Sequence, residues 1–208
     1  MANSRTIHLV DDDDAVRRSV GFLLRTAGFA VTAHACGTDF LGATGAATEG
    51  CVVLDMRMPG IDGLEVQRIL TSRGIALPVI MLTGHGDVSL AVRAIKAGAV
   101  DFLEKPFEKA ALLGAIEEAF ARSTDAGRTR LDAAEATLRL AALTTREHDV
   151  LEGMVKGQPN KITAHELGIS TRTVEVHRAN LMHKLDVRSL SDVLRLSFAA
   201  GMGAIEPG

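Results

Sequence analysis

A carboxylate, hydroxyl or ammonium side chain stands at or just after the end of each of four short apolar runs, and this arrangement constrains the fold most. These side chains belong to Asp11, Asp12, Asp55, Thr83 and Lys105. In an open parallel α/β sheet, the carboxyl ends of the strands meet at one crevice, which is where ligands bind. The sequence therefore predicts that the five side chains converge on a single site.

Short apolar runs alternate with stretches of helical periodicity over the first 120 residues. The predicted strands are Thr6–Val10, Phe29–Ala33, Cys51–Leu54, Pro78–Leu82 and Val100–Leu103. The predicted helices are Ala15–Ala27, Thr38–Thr44, Leu64–Leu70, Val88–Ala97 and Lys109–Phe120. Such alternation indicates crossover connections and a parallel sheet covered on both faces. We therefore expect an α/β fold, a doubly wound parallel five-stranded sheet.

The pattern changes in the last third of the chain, where no strand is expected. Short helices separated by glycine and proline predict a small all-α domain over residues 143–208. The preceding segment, residues 123–142, opens with small and polar residues and then becomes helix-prone, so we interpret it as a partly helical linker. Residues 1–122 form the first predicted domain.

Composition excludes several classes of function. The net charge of −3 excludes a polybasic nucleic-acid binder, and the absence of Trp and Tyr disfavours base stacking on aromatic rings. Cys36 and Cys51 form neither a metal motif nor a disulfide framework. No apolar run reaches the roughly 18 residues of a membrane span, and the acidic N-terminus is unlike a secretory signal. We expect a cytoplasmic protein without membrane partners.

Three carboxylates at one site repel one another unless a cation lies between them. Hard oxygen ligands in a partly solvated site suit Mg²⁺. A carboxylate beside Mg²⁺, a threonine and a lysine can accept a phosphoryl group, because this transfer needs positioning and charge neutralisation above all. The alternative is that Asp11–Asp14 cap the first helix, which is our interpretation for Asp13 and Asp14.

Four segments resemble the receiver domain of two-component response regulators. They are Val10-Asp11-Asp12, Leu54-Asp55-Met56-Arg57-Met58-Pro59-Gly60, Leu82-Thr83-Gly84 and Glu104-Lys105-Pro106-Phe107. The resemblance covers residues 5–122 and implies that Asp55 accepts a phosphoryl group from a sensor histidine kinase. It also implies that Mg²⁺ is held by Asp11, Asp12, Asp55 and the backbone carbonyl of Arg57.

The same resemblance assigns roles to the residues around the acceptor. Thr83 and Lys105 would bind phosphoryl oxygens, Phe102 would be an aromatic switch, and the Lys105–Pro106 bond would be cis. Arg57 and His85 stand where receivers place residues beside the attacking water. Since neither is a carboxylate or an amide, slow autodephosphorylation is predicted, the alternative being surface variation without kinetic effect. Taken singly, Lys105 could be a surface lysine and Phe102 a core residue.

Two short helices joined by a Gly-containing turn, Asn160–Leu167 and Thr171–Leu185, indicate a helix-turn-helix. The second helix has two faces. Val174, Leu181 and Leu185 form a core stripe. Its other face, suited to base edges in a major groove, consists of Arg172, Glu175, Val176 and Ala179. The alternative is a solvated face on a structural helix. Four basic against two acidic residues between Thr171 and Arg188 predict weak DNA binding by a monomer.

This part of the chain resembles the LuxR-type helix-turn-helix. The matching segments are 143–147, Asn160-Lys161, Leu167-Gly168-Ile169-Ser170 and Thr171-Arg172-Thr173-Val174-Glu175-Val176-His177-Arg178. The resemblance implies that the sugar-phosphate backbone of DNA is contacted by Lys161, Thr171, Thr173, His177 and Arg178. It also implies pairing of two such domains through a last helix bearing Leu190, Val193, Leu194 and Ser197. The Lys161-Ile162-Thr163-Ala164 segment departs from the family pattern and leaves the register of its helix open by one residue.

Together, the two resemblances place the whole chain close to the FixJ group of response regulators. They imply a transcriptional activator that dimerises on phosphorylation of Asp55, binds double-stranded promoter DNA and acts with RNA polymerase. One rival is an aspartyl-phosphate hydrolase, which would need a second acid where Arg57 stands. The other is a DNA binder that no longer depends on phosphorylation.

Overall fold

A parallel five-stranded sheet organises the first part of the protein. The computed structural model describes residues 5–45, 48–84, 88–124 and 133–203. The strand order is β2-β1-β3-β4-β5. The strands are β1 (Thr6–Val10), β2 (Ala30–His34), β3 (Cys51–Asp55), β4 (Val79–Thr83) and β5 (Asp101–Glu104). The order reverses between β1 and β3, which opens a crevice at their carboxyl ends. The predicted fold class is confirmed.

Helices connect the strands and make up the C-terminal part of the described chain. Those of the first part are α1 (Asp14–Thr26), α2 (Gly37–Ala43), α3 (Gly63–Ser72), α4 (Val88–Lys96) and α5 (Lys109–Thr124). Those that follow are α6 (Ala133–Leu140), α7 (Thr145–Val155), α8 (Asn160–Leu167), α9 (Thr171–Lys184) and α10 (Leu190–Ala199). No helix of the described ranges is long and apolar enough to cross a membrane.

The central strands are covered on both faces. On one face, Val53 packs in a cluster with Leu24 of α1 and Ile116 of α5. Successive side chains of a strand point to opposite faces, so Val52 and Leu54 point to the other face, and both are fully buried. The near-continuous apolar character of β3 therefore reflects burial on two sides.

Two strands begin one residue later than predicted, because the apolar residue before each of them belongs to the preceding turn. The predicted second and fifth strands began at Phe29 and Val100, but the ladder begins at Ala30 and Asp101. Both apolar residues are core residues. The N–H of Phe29 donates to the carbonyl of Leu24 at 3.1 Å and so closes α1. Hydrophobicity alone does not distinguish a strand residue from a buried turn residue.

Contacts divide the chain into two compact units. One contains β1–β5 with α1–α3 and α5, and the other contains α4 with α6–α10. The predicted domain boundaries 1–122, 123–142 and 143–208 stay a prediction. Within the predicted linker, α5 continues to Thr124 and α6 supplies the helical part, whereas residues 125–132 lie outside the described ranges.

The register of α8, left open by the sequence, is decided by its contact with α7. Thr163 and Ala164 are buried, whereas Ile162 is 46% exposed. Thr163 lies over Gly153 of α7, where a Cβ would come within 2.6 Å of its Oγ1. The close approach of the two helices therefore turns the small polar residue inward and the larger apolar residue outward.

A buried glutamate joins α7 to α9. Glu147 forms a capping box with Thr144 at the start of α7, and its Oε2 accepts a hydrogen bond from Lys184 Nζ at 2.7 Å. Only 4% of Glu147 is exposed. The bond from Lys184 and those from the amide and hydroxyl of Thr144 lower the pKa of Glu147 to about 2.

Replacing Glu147 with Gln should reduce the free energy of unfolding by about 1–3 kcal/mol at neutral pH, because a charge-assisted hydrogen bond is lost. Because folding lowers the pKa of Glu147, its ionised carboxylate stabilises the protein at pH values above its ordinary pKa of 4.5. This stabilisation is lost as the pH falls toward about 2. Unfolding by urea at pH 7 and at pH 3 measures both effects.

The matched control is Glu152→Gln in the same helix, whose exposed carboxylate pairs with Lys156 at 3.2 Å. An exposed pair contributes about 0–1 kcal/mol, so this variant should unfold close to the wild type. Equal losses in the two variants would contradict the structural role of Glu147.

Candidate functional site

Two buried carboxylates and one lysine meet at the carboxyl ends of three strands. Asp11 follows β1, Asp55 ends β3 and Lys105 follows β5. Lys105 Nζ donates to Asp11 Oδ2 at 2.6 Å and also to Asp55 Oδ1. Asp11 is fully buried and Asp55 is 7% exposed. The ammonium group therefore lies between two carboxylates whose repulsion would be strong in this poorly solvated place.

Burial and charge act in opposite directions on these groups. Burial raises the pKa of Asp55, and the charge of Asp11 adds to this, although Lys105 and the N–H of Arg57 oppose it. Burial lowers the pKa of Lys105, but the hydrogen bonds to the two carboxylates have the larger effect, so the pKa of Lys105 is raised. The site thus holds one cation tightly and leaves excess negative charge around it.

The second oxygen of each carboxylate is fixed by the backbone. Asp11 Oδ1 accepts the N–H of Asp13 at 2.9 Å, and Asp55 Oδ2 accepts the N–H of Arg57 at 2.8 Å. Asp13 itself caps α1, as predicted, by accepting the N–H of Ala15 at 2.7 Å. Both carboxylates are therefore held in place without the help of a ligand.

Two further residues support the site and are not apparent from the sequence. Arg17 Nη1 donates to the backbone carbonyl of Asp11 at 2.7 Å, so α1 braces the acidic loop. A Cβ on Gly63, at the start of α3, would come within 2.5 Å of the backbone carbonyl oxygen of Asp55. The only local signal for Arg17 is its spacing from Asp14, with which it pairs at 3.2 Å, and Gly63 has no local signal.

Thr83 and Phe102 lie on the neighbouring strands β4 and β5. Thr83 is 4% exposed, and its hydroxyl donates to the carbonyl of Gly84 at 3.0 Å. Phe102 is half-buried and pairs with Met81 in the ladder. The Lys105–Pro106 bond is cis. His85, the other residue to which the sequence assigned a role here, lies outside the described residues.

The oxygen donors at this site suit Mg²⁺, although the predicted carboxylates are not all gathered. Asp12 is exposed, and the part of the chain that the structure describes contains no group of three His, Cys, Asp or Glu side chains able to hold a metal. Mg²⁺ is usually held through one or two carboxylates and water. The fixed oxygens of Asp11 and Asp55 meet that requirement.

The two predicted faces of α9 are separated in the structure. Val174, Leu181 and Leu185 are buried to 1% exposure or less, which confirms the core stripe. The opposite face is exposed and consists of Arg172, Glu175, Val176 and Ala179. Arg172 and Glu175 pair at 3.2 Å, and Val176 is 47% exposed beside them. An apolar methyl-bearing side chain next to a charged pair is suited to contacts with base edges.

The residues predicted to contact the DNA backbone differ in their surroundings. Lys161 and Thr171 are exposed, and His177 is half-buried. The Oγ1 of Thr173 lies 2.8 Å from the Oγ of Ser170, which caps α9. Arg178 is also half-buried, and its Nη1 donates to Asn160 Oδ1 at 2.7 Å. Thr173 and Arg178 therefore have partners within the protein.

Two family descriptions match separate parts of the chain. Residues 7–117 match the response regulator receiver domain, and residues 141–197 match the bacterial regulatory proteins of the luxR family. The first match contains the acidic site, and the second contains α7–α9 with most of α10.

Relatives with both parts align over nearly the whole chain. The transcriptional regulatory protein FixJ of Azorhizobium caulinodans is 49% identical over 202 residues, 97% of this chain and 96% of that protein. The response regulator protein TmoT of Ectopseudomonas mendocina is 42% identical over 191 residues, 92% of this chain and 87% of that protein. The crystal structure of full-length FixJ from B. japonicum is 46% identical, covers 95% of this chain and 98% of its own, and superposes with a TM-score of 0.57.

Adding a methyl group at Gly63 should disturb the site through the backbone of Asp55. Gly63→Ala would press against the carbonyl of Asp55, and such overpacking costs about 1–3 kcal/mol. We expect a lower thermal midpoint than in the wild type, measured by circular dichroism.

Gly114→Ala in α5 is the matched control, because a Cβ there meets nothing within 4 Å. Alanine is preferred to glycine inside a helix by about 0.5–1 kcal/mol, so this variant should be as stable as the wild type or more stable. A Gly63→Ala protein with an unchanged midpoint would show that the backbone of Asp55 is free to move aside.

Proposed function

This chain belongs to the response regulators that join a receiver domain to a LuxR-type DNA-binding domain, and we propose that Asp55 is its phosphoacceptor. The protein is a phosphorylation-dependent DNA-binding transcriptional regulator, and its family is not one of enzymes in the ordinary sense. The observation that carries the proposal is the placement of Asp55. Its carboxylate ends β3 with one oxygen on a backbone N–H and the other facing Lys105.

Phosphorylation would proceed by attack of a carboxylate oxygen of Asp55 on the phosphohistidine of a sensor kinase. The new bond joins phosphorus to Asp55, the bond between phosphorus and the histidine nitrogen breaks, and the histidine is released. Mg²⁺ held by Asp11, Asp55 and the Arg57 carbonyl, and joined by Asp12 from its exposed position, would neutralise negative charge during the transfer. Lys105 already lies at Asp55 and would pair with a phosphoryl oxygen.

Thr83 and Phe102 would transmit the change. The Thr83 hydroxyl now donates to the carbonyl of Gly84, and the phosphoryl group offers it a stronger, charged acceptor. Movement of Thr83 toward Asp55 would leave space behind it, which the half-buried ring of Phe102 would fill. The switch would be a shift in population between two arrangements.

The phosphoryl group would be lost slowly. A fast hydrolysis needs a carboxylate or amide to orient the attacking water, and the residue two positions after Asp55 is the exposed Arg57. The matching residue after Thr83 is His85. Neither residue is a carboxylate or an amide.

DNA recognition would use the exposed face of α9. Arg172, Glu175, Val176 and Ala179 would meet base edges in the major groove. The residues proposed to contact the backbone are Lys161, Thr171, Thr173 and His177. Few cations take part, so one domain would bind weakly and a pair would bind much more tightly.

The helix expected to pair two DNA-binding domains is largely covered. Val193, Leu194 and Ser197 of α10 are fully buried within the second unit. In that unit, Lys96 of α4 donates to the carbonyl of Gly203 at 2.9 Å, and its ammonium lies 5.2 Å from the ring centroid of Phe198. We propose that phosphorylation loosens α4 from α10, which would allow the helix to pair.

The active form would therefore be a homodimer on promoter DNA. It would act with RNA polymerase as an activator, in the cytoplasm, where the phosphohistidine of the kinase and the promoter are both accessible. A fragment without the receiver domain would bind DNA equally well with and without phosphorylation, and this result would not contradict the proposal. The tests therefore use the full chain.

Replacing Asp55 with Asn should abolish activation. The wild-type chain with beryllium fluoride and Mg²⁺ should dimerise and bind DNA roughly 100-fold more tightly, whereas Asp55→Asn should remain as the untreated protein, because an amide cannot replace the carboxylate that bonds to beryllium. Sedimentation velocity and DNA titration measure the two effects.

Asp39→Asn on α2, an exposed carboxylate of the same domain, is the control and should respond as the wild type does. If Asp55→Asn still dimerised on treatment, the phosphoacceptor would be another residue. If the wild type were a dimer regardless of treatment, the phosphorylation-independent rival would hold.

Replacing Lys96 with Ala should increase dimerisation without treatment. A cation–π contact at an exposed site contributes about 0.5–1 kcal/mol, so its loss together with that of the hydrogen bond should strengthen self-association several-fold. Arg93→Ala, an exposed cation one turn earlier in α4, controls for the change in charge. Equal self-association of the wild type and both variants would contradict the proposed restraint on α10.

A further inference from the structure

Arg178 lies on α9 but is directed into the protein. Its Nη1 donates to Asn160 Oδ1, the first residue of α8, across 18 residues of sequence. The side chain is half-buried, whereas that of Arg172 on the same helix is 84% exposed. Burial lowers the pKa of Arg178, and the charge of Glu175 opposes that shift. The two arginines of α9 therefore occupy different environments.

The start of α8 has no local cap of its own. Its N-cap is Pro159, which makes no side-chain cap hydrogen bond. By contrast, α7, α9 and α10 begin after Thr144, Ser170 and Ser189, each of which accepts a backbone N–H. The hydrogen bond from Arg178 to Asn160 therefore holds the first turn of α8 from outside the helix.

We propose that Arg178 is a positioning residue that fixes the start of α8 against α9, and not a ligand of the DNA backbone. The hydrogen bond to Asn160 keeps α8 and α9 in the relative placement that they need when α9 enters the major groove. This role rests on the proposed placement of α9 on DNA.

A second basic residue of α9 is engaged in a similar way. Lys184 Nζ donates to the buried Glu147 at 2.7 Å, which joins the end of α9 to α7. Much of the positive charge of α9 is therefore engaged in hydrogen bonds that join α9 to α7 and α8. The number of phosphates contacted by the domain is correspondingly smaller than a count of its basic residues suggests.

Salt dependence distinguishes positioning from phosphate contact. Each phosphate neutralised adds about 0.9 to the slope of log affinity against log salt. Loss of a positioning residue should weaken binding at every salt concentration and leave that slope unchanged. Loss of a phosphate ligand should reduce the slope by about 0.9 for each protomer bound.

The experiment uses the full chain treated with beryllium fluoride and Mg²⁺, and a duplex selected by the wild type from a random-sequence pool. Affinities are measured between about 50 and 200 mM salt. The variants are Arg178→Gln, Arg178→Lys, Asn160→Ala, the Arg178→Gln/Asn160→Ala pair and Lys161→Gln. Thermal unfolding of each variant verifies that the C-terminal helices remain folded.

We expect Arg178→Gln and Asn160→Ala each to weaken binding roughly tenfold with an unchanged slope, as loss of one well-placed hydrogen bond would do. The double variant should bind no more weakly than either single variant. Arg178→Lys should not restore binding, because lysine lacks the planar guanidinium group. Lys161→Gln should lower the slope.

A reduced slope for Arg178→Gln that Arg178→Lys restores would overturn the inference and make Arg178 a phosphate ligand. Unchanged binding by Asn160→Ala would overturn it as well, and this variant leaves the arginine in place. Arg172→Ala tests the placement of α9 separately: if its sequence preference matched that of the wild type, the proposed DNA face would be wrong, whatever Arg178 did.

Discussion

The ammonium of Lys105 between two buried carboxylates is the interaction on which the receiver part depends. Asp11 follows β1 and Asp55 ends the adjacent strand β3, and the burial of both carboxylates makes their joint ionisation unfavourable without a cation. Lys105 supplies that cation from β5, beyond the intervening β4. The three strands must therefore keep their order and register for the site to exist.

This arrangement also explains why the site is suited to a change of ligand. Each carboxylate has one oxygen on the backbone and the other toward Lys105. A phosphoryl group and a divalent cation would bring both signs of charge into the same place, so Lys105 can exchange a carboxylate partner for a phosphoryl oxygen without losing its own counter-charge. Thr83, whose present acceptor is a neutral carbonyl, is similarly able to change partners.

The C-terminal helices use charge in a different way. Glu147 with Lys184 and Arg178 with Asn160 tie α9 to α7 and α8, so polar contacts orient a helix whose core stripe is narrow. The exposed face is left with one paired arginine and an apolar side chain. Because this surface has so few available cations, the proposed pairing of two copies would raise the affinity for DNA.

The sequence by itself determined the alternation of strands and helices, the positions of Asp11, Asp55, Thr83 and Lys105 at strand ends, and the two faces of α9. These features follow from periodicity and from the C-terminal position of residues on strands, both of which are local. Only the tertiary structure decided the roles of Arg17, Gly63 and Arg178, and the outward turn of Ile162. Those roles depend on backbone and side-chain atoms of other elements, and contacts between distant segments leave no periodic signal in the chain.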